Sequence, residues 1–202
     1  MKELFLVRHG KTRENITGIL MGQLDSPLYE ETKENIRFIK QYIVKPDIVY
    51  SSDLKRASET AQILFPNIKI TLLSELRERH FGRLQGKPKK MRDKVSSDEP
   101  SWYQMDGDEG VFKNSGAETL SSVFNRAKHI LNLIEKTDAK SLMVLGHGAF
   151  LSYMVNVLLG EGLVRHPLDN LHYHRIFIDC QGNVVDVKFN QNWSSKSLRK
   201  KQ

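Results

Sequence analysis

One cysteine, Cys180, stands in a chain of 202 residues, so no internal disulfide can staple the fold. No apolar stretch approaches the ~20 residues that a membrane-spanning helix needs. Met1-Lys2-Glu3-Leu4 runs straight into the first apolar segment and leaves no room for a secretory signal. These absences set a cytoplasmic location as the expectation. No Gly-x-x-x-x-Gly-Lys-Ser/Thr run occurs, which removes the P-loop nucleotide hydrolases. No cluster of Cys, His and carboxylate residues has metal-ligand spacing. His172 and His174 alternate without a third ligand nearby and read as surface histidines. Aromatic residues are scarce, at 8%, and are not interleaved with basic ones, so the base-stacking pattern of nucleic-acid binders is missing.

What the chain has is an excess of positive charge, 31 Lys and Arg against 24 Asp and Glu. Lys87, Lys89, Lys90, Arg92 and Lys94 form one cluster, placed to face an anionic substrate. Lys196, Arg199, Lys200 and Lys201 form the other, and 194–202 reads as a flexible basic tail. The hydrophobic content of 39% suits a single domain over 1–202.

Two apolar runs end in the same way. Leu4-Phe5-Leu6-Val7-Arg8 stops at His9-Gly10, and Leu142-Met143-Val144-Leu145-Gly146 stops at His147-Gly148. Continuous apolar runs of this length read as strands buried on both faces. Helical spacing is clear over 30–44 (Ile36, Ile39, Ile43), from Leu54 to Leu64, from Leu120 to Ile134, and from Ala149 to Leu159 before Gly160. Ser51 or Ser52 is placed to cap the second of these helices, and Ser115 or Glu118 to start the third. Short strands are expected at Ile48–Tyr50 and Ile68–Leu73, and an edge hairpin at Arg175–Asp179 and Val184–Phe189. Residues 11–29 read as irregular. The polar stretch 78–116, rich in turn residues, reads as an insertion over one end of the sheet.

Alternating strands and helices predict an α/β fold. The expected form is a three-layer α/β/α sandwich with a mostly parallel sheet, an antiparallel edge and an inserted lid. Such a sheet binds ligands at the carboxyl ends of its strands. Arg8, His9, Arg56, Glu78 and His147 should all meet there. Paired guanidiniums suit phosphate oxygens. A neutral imidazole can attack phosphorus, a second can stabilise the equatorial charge, and a carboxylic acid can protonate the leaving oxygen.

These residues carry a resemblance. Leu6-Val7-Arg8-His9-Gly10-Lys11-Thr12 with Asn15 resembles the signature of the histidine phosphatase superfamily, the phosphoglycerate-mutase-like proteins. Asp25-Ser26-Pro27-Leu28, the segment Ser51 to Ala61 around Arg56, the acid motif Leu76 to Gly86 around Glu78, and Gly146-His147-Gly148 match further segments in order. The resemblance implies that His9 is the phosphorylated nucleophile and Glu78 the proton donor. It implies that Arg8, Arg56 and His147 hold the phosphoryl group. Asn15, backbone at Gly22 and Gln23, and Gly148 would contact the substrate. No metal or organic cofactor is implied. The partner implied is a small phosphorylated substrate, with no membrane or nucleic acid, for a monomer or a homodimer.

The chain departs from the family pattern at Lys11, where glutamate is usual, and at Met21, where phosphatases often carry glutamine. The glycine usual after the Pro-Leu turn is also replaced, near Thr32. Phe81 stands where mutases have tyrosine. No adjacent arginine pair stands in 78–116 of the kind mutases use to grip a carboxylate. A short cover admits water, so hydrolysis is expected over mutase chemistry. The alternatives are a cofactor-dependent phosphoglycerate mutase and a non-catalytic binder of phospho-ligands or nucleic acid.

Overall fold

The computed structural model describes residues 1–89 and 115–193. Six strands form one sheet in the order β3-β2-β4-β1-β5-β6. They are β1 (Lys2–Arg8), β2 (Ile48–Ser52), β3 (Ile70–Leu73), β4 (Ser141–Gly146), β5 (Tyr173–Ile178) and β6 (Val184–Gln191). The first four pair in parallel. The β5–β6 hairpin closes one edge antiparallel, with β5 running against β1.

Among the described residues five α-helices accompany the strands: α1 (Arg13–Thr17), α2 (Glu30–Ile39), α3 (Lys55–Leu64), α4 (Leu120–Glu135) and α5 (Gly148–Leu159). The two-residue period of the strands sorts them into layers. Leu4, Leu6, Leu142 and Val144 pack with Val123, Ala127 and Ile130 of α4 and with Phe150 and Leu151 of α5. Phe5, Val7, Met143 and Leu145 face the other way, onto Ile36 of α2 and Ala61 and Leu64 of α3. This is the expected sandwich, because a strand covered on both sides must be apolar at every position.

Three local readings change. Residues 13–17 are helical, because Thr12 and Asn15 form a reciprocal capping box. Neither Ser51 nor Ser52 caps α3; Asp25 reaches in from another loop and accepts from Lys55 N at 2.8 Å. Thr119 caps α4 through Ser122 N, while Glu118 accepts from Ser122 Oγ.

The expected insertion is described only at its ends, 78–89 and 115–116. Lys90, Arg92 and Lys94 lie outside the described residues, as does the basic tail from 194.

Candidate active site

The parallel strands bring His9 and His147 side by side, because β1 and β4 are neighbours in register, Arg8 opposite Gly146. The two imidazole centroids lie 5.0 Å apart. Both rings are buried, at 3% and 1% exposure. His9 Nδ1 faces the carbonyl of Gly10 at 2.6 Å. A carbonyl only accepts, so Nδ1 carries the proton and Nε2 keeps its lone pair. Gly10 has no room for a side chain: a Cβ there would lie 2.7 Å from Thr32 Cγ2. Its N–H donates to Thr60 Oγ1 at 3.0 Å, which fixes the peptide that orients His9.

Arg56 projects from the first turn of α3 and is 2% exposed. Its Nη1 and Nη2 donate to the carbonyls of Leu24 and Gly22, and its Nε to His147 Nδ1 at 3.2 Å. Gly22 adopts φ 54°, a left-handed conformation that favours glycine. His147 Nε2 then bears the ring proton and meets Ser52 Oγ at 2.9 Å. Arg8 Nη1 donates to Leu168 O at 2.7 Å, whereas its buried Nε has no hydrogen-bond partner among the described residues. A buried guanidinium N–H without a partner is costly unless a ligand completes it.

Glu78 meets the N-terminus of α5. Its Oε1 accepts from Arg79 N and Phe150 N, both at 2.9 Å, and its Oε2 from Ala149 N at 3.2 Å. Oε1 is saturated, and Oε2 has capacity for another partner.

Electrostatics follow from this packing. Burial pushes the His9 pKa well below its ordinary value, and the Arg56 and Arg8 charges push it further. Burial likewise holds His147 neutral, reinforced by Arg56 and His9. Burial opposes the charges of Arg8 and Arg56, and Glu78 supports both.

These groups surround a cavity of about 250 Å³. Arg8, His9, Asn15, Gly22, Arg56, Glu78 and Gly148 all line it. His147 supports His9 from behind without lining the cavity. Gln23 is not brought to it. Its side-chain amide donates to the backbone carbonyl of Glu78 at 3.0 Å and its N–H to Gln85 Oε1, so it holds the acid motif instead. Met21 does line the cavity, in keeping with an apolar wall where phosphatases often have an amide.

Lys89, from the basic cluster, reaches the wall, and so do Arg165, Pro167, Leu168 and Asp169. Sequence reasoning missed the 165–169 loop, along with Ser52 as a histidine partner and Thr60 as an anchor. The loop's signal was the antiparallel hairpin. A strand running against β1 begins beside the carboxyl end of β1, so the residues before it must lie at the site. His80 packs as expected, accepting from Gly82 N at 3.0 Å. The surface reading of His174 is wrong: it is fully buried and accepts from Asn190 N at 3.1 Å. Among the described residues, no group of three or more His, Cys, Asp or Glu is arranged to hold a metal ion. No described helix is long and apolar enough to cross a membrane.

Known proteins share this fold. The alpha-ribazole phosphatase of Shigella flexneri superposes with a TM-score of 0.75 at 22% identity, over 94% of this chain and 96% of that one. A variant of the phosphoserine phosphatase of Entamoeba histolytica, in complex with phosphoserine, superposes with a TM-score of 0.78 at 25% identity, over 95% and 98%. "Probable phosphoglycerate mutase GpmB" of Serratia proteamaculans is 28% identical over 166 residues, 79% of this chain and 76% of its own. The family model of the histidine phosphatase superfamily, branch 1, matches residues 4–191, and the chain belongs to that superfamily.

Proposed function

We propose that this chain is a phosphomonoesterase that hydrolyses small phosphorylated metabolites through a phosphohistidine on His9. The observation that carries the reading is the fixed tautomer of His9. Its Nδ1–H is committed to Gly10 O, so the Nε2 lone pair is the ring's only nucleophilic atom in a cavity lined by Arg8 and Arg56.

Nε2 attacks phosphorus as the ester P–O bond breaks, and a proton on Glu78 passes to the departing alcohol oxygen. Arg8 Nε, which has no partner among the described residues, suits an equatorial phosphoryl oxygen. Arg56 supplies positive charge beside both imidazoles. In the second half, Glu78 takes a proton from water as its oxygen attacks the phosphohistidine. The P–N bond breaks, inorganic phosphate leaves, and His9 returns neutral. The depressed basicity of His9 supports this cycle, since an imidazole that stays unprotonated is ready to attack.

A mutase is the second reading, favoured by the likeness to the GpmB relative. Product analysis separates the two. Hydrolysis predicts free phosphate from monoesters without any bisphosphorylated cofactor. Interconversion of phosphoglycerates much faster than phosphate release would reverse the order. The phosphohistidine itself is tested by ³¹P NMR after rapid acid-free denaturation during turnover, and a His9→Ala protein that still accumulates it would end the assignment.

A further inference from the structure

We propose that Asn170 is a positioning residue that turns the amide of Asn15 so that its NH2 group, not its oxygen, faces the cavity. The proposal rests on the functional reading above and names a device that reading does not contain.

The argument starts at an atom that can only accept. Asn170 Nδ2 lies 2.9 Å from the carbonyl oxygen of His9 and 3.5 Å from that of Gly10. Two carbonyls fix the orientation of the Asn170 amide: its NH2 end must point at the His9-Gly10 turn that follows β1. The same NH2 lies 3.4 Å from the Asn15 side chain, so the Asn15 atom there must be the oxygen. A second donor, independent of the first, demands the same orientation. Thr12 N–H donates to Asn15 Oδ1 at 3.2 Å in the α1 capping box. With its oxygen engaged from two sides, Asn15 offers only N–H groups to the cavity it lines. Those donors match an anionic oxygen and mismatch a cation or an amide N–H.

The backbone around Asn170 is built to hold it there. Leu171 N donates to Arg8 O, and Arg8 N donates to His172 O, both at 3.1 Å, so the turn is stitched to the end of β1 on two sides. Leu171 itself has φ 61°, a left-handed conformation that a branched side chain rarely adopts. Strain of this kind persists only where surrounding contacts over-determine it, and it concentrates at functional sites. The turn thus ties the nucleophile's own carbonyl and a phosphate-facing amide to one side chain.

The test uses the whole chain. Asn170→Ala removes the NH2 without placing a charge beside the anion. It should weaken inorganic phosphate binding and lower kcat/KM for p-nitrophenyl phosphate by about tenfold each, the scale of a lost hydrogen bond. Asn15→Ala should lose a similar factor. The double variant should bind phosphate no worse than Asn15→Ala alone, because Asn170 acts through Asn15. Losses that multiply, or an Asn170→Ala protein that binds phosphate as the wild type does, overturn the proposal.

A measurement on the unmutated protein covers the case in which the variants fold poorly. Titration with inorganic phosphate, followed through side-chain amide ¹H–¹⁵N resonances, should shift the Asn15 pair in step with occupancy. An Asn15 pair that stays still while phosphate binds overturns the proposal and leaves the functional reading intact. A wild-type protein that binds no phosphate removes both.

Discussion

Arg56 Nε donates to His147 Nδ1 across 3.2 Å, and this one bond decides which nitrogen of His147 carries the proton. Lysine cannot replace it. Arg56 serves three acceptors at once, and an ammonium lacks the planar fork that does so. Arg56→Lys should lower kcat/KM for p-nitrophenyl phosphate by about a hundredfold or more, and destabilise the fold by about 2 kcal/mol. Kinetics and urea unfolding measure the two effects separately. Kinetics within threefold of wild type would show that the fork is not needed. Ser52→Ala, which removes the acceptor of His147 Nε2–H, should give a smaller loss in the same direction.

The carboxyl group of Glu78 is expected to matter in proportion to the difficulty of the leaving group. Glu78→Gln keeps the shape and an oxygen for the backbone donors at Arg79 and Phe150, and gives up the acceptor that faces Ala149 N. It removes the transferable proton. Hydrolysis of alkyl phosphates should fall by about 10²- to 10⁴-fold, and that of p-nitrophenyl phosphate far less. Equal losses on both substrates would take proton donation away from this residue.

Activity should persist into mild acid. Burial, then Arg56, then Arg8, keep His9 unprotonated well below pH 6.5. The acid limb of kcat/KM assigned to His9 should therefore lie well below the pH at which an exposed imidazole protonates. Direct ¹⁵N titration of the His9 ring is the check. A ring that protonates near its ordinary value would contradict the buried geometry.

Stability should move the other way. His9, His147 and His174 all resist protonation in the folded state, with His174 lowered from 6.5 to about 4 by burial and by His166. Below pH 6.5 the unfolded chain takes up protons that the folded chain refuses, so stability falls as the pH falls. Each such histidine adds up to about 1.4 kcal/mol per pH unit to that slope. For His174 the window runs from 6.5 down to about 4, worth about 3 kcal/mol in all. His174→Asn keeps an acceptor near Nδ1 and should flatten the slope in that window. Urea midpoints measured at several pH values decide it, and parallel curves for the two proteins would count against the assignment.

Local chemistry was legible in the sequence wherever one residue and its immediate neighbours settled it. The apolar runs ending at His9 and His147 announced both strands and both imidazoles. The spacing of Ala57, Ala61 and Leu64 announced α3, and with it the position of Arg56. What escaped was set by partners far away in the chain. The resemblance implies a substrate contact at the Gln23 backbone, yet its N–H is spent on Gln85 and its side-chain amide on the carbonyl of Glu78. His174 reads as exposed because polar residues flank it, yet β5 sits between β1 and β6 and is covered. Asn170 carries no local signature, since the role proposed for it depends on its meeting the carbonyls of His9 and Gly10.

The anchor of Arg8 has a consequence for biosynthesis. Its carbonyl partner, on Leu168, stands 160 positions further along the chain. A ribosome must therefore release most of the polypeptide before Arg8 can settle. Until the closing hairpin docks, the growing chain holds its first strand without the groups that complete the crevice. Premature termination before that hairpin should yield a protein with no competence to process phosphate, however well its earlier helices form.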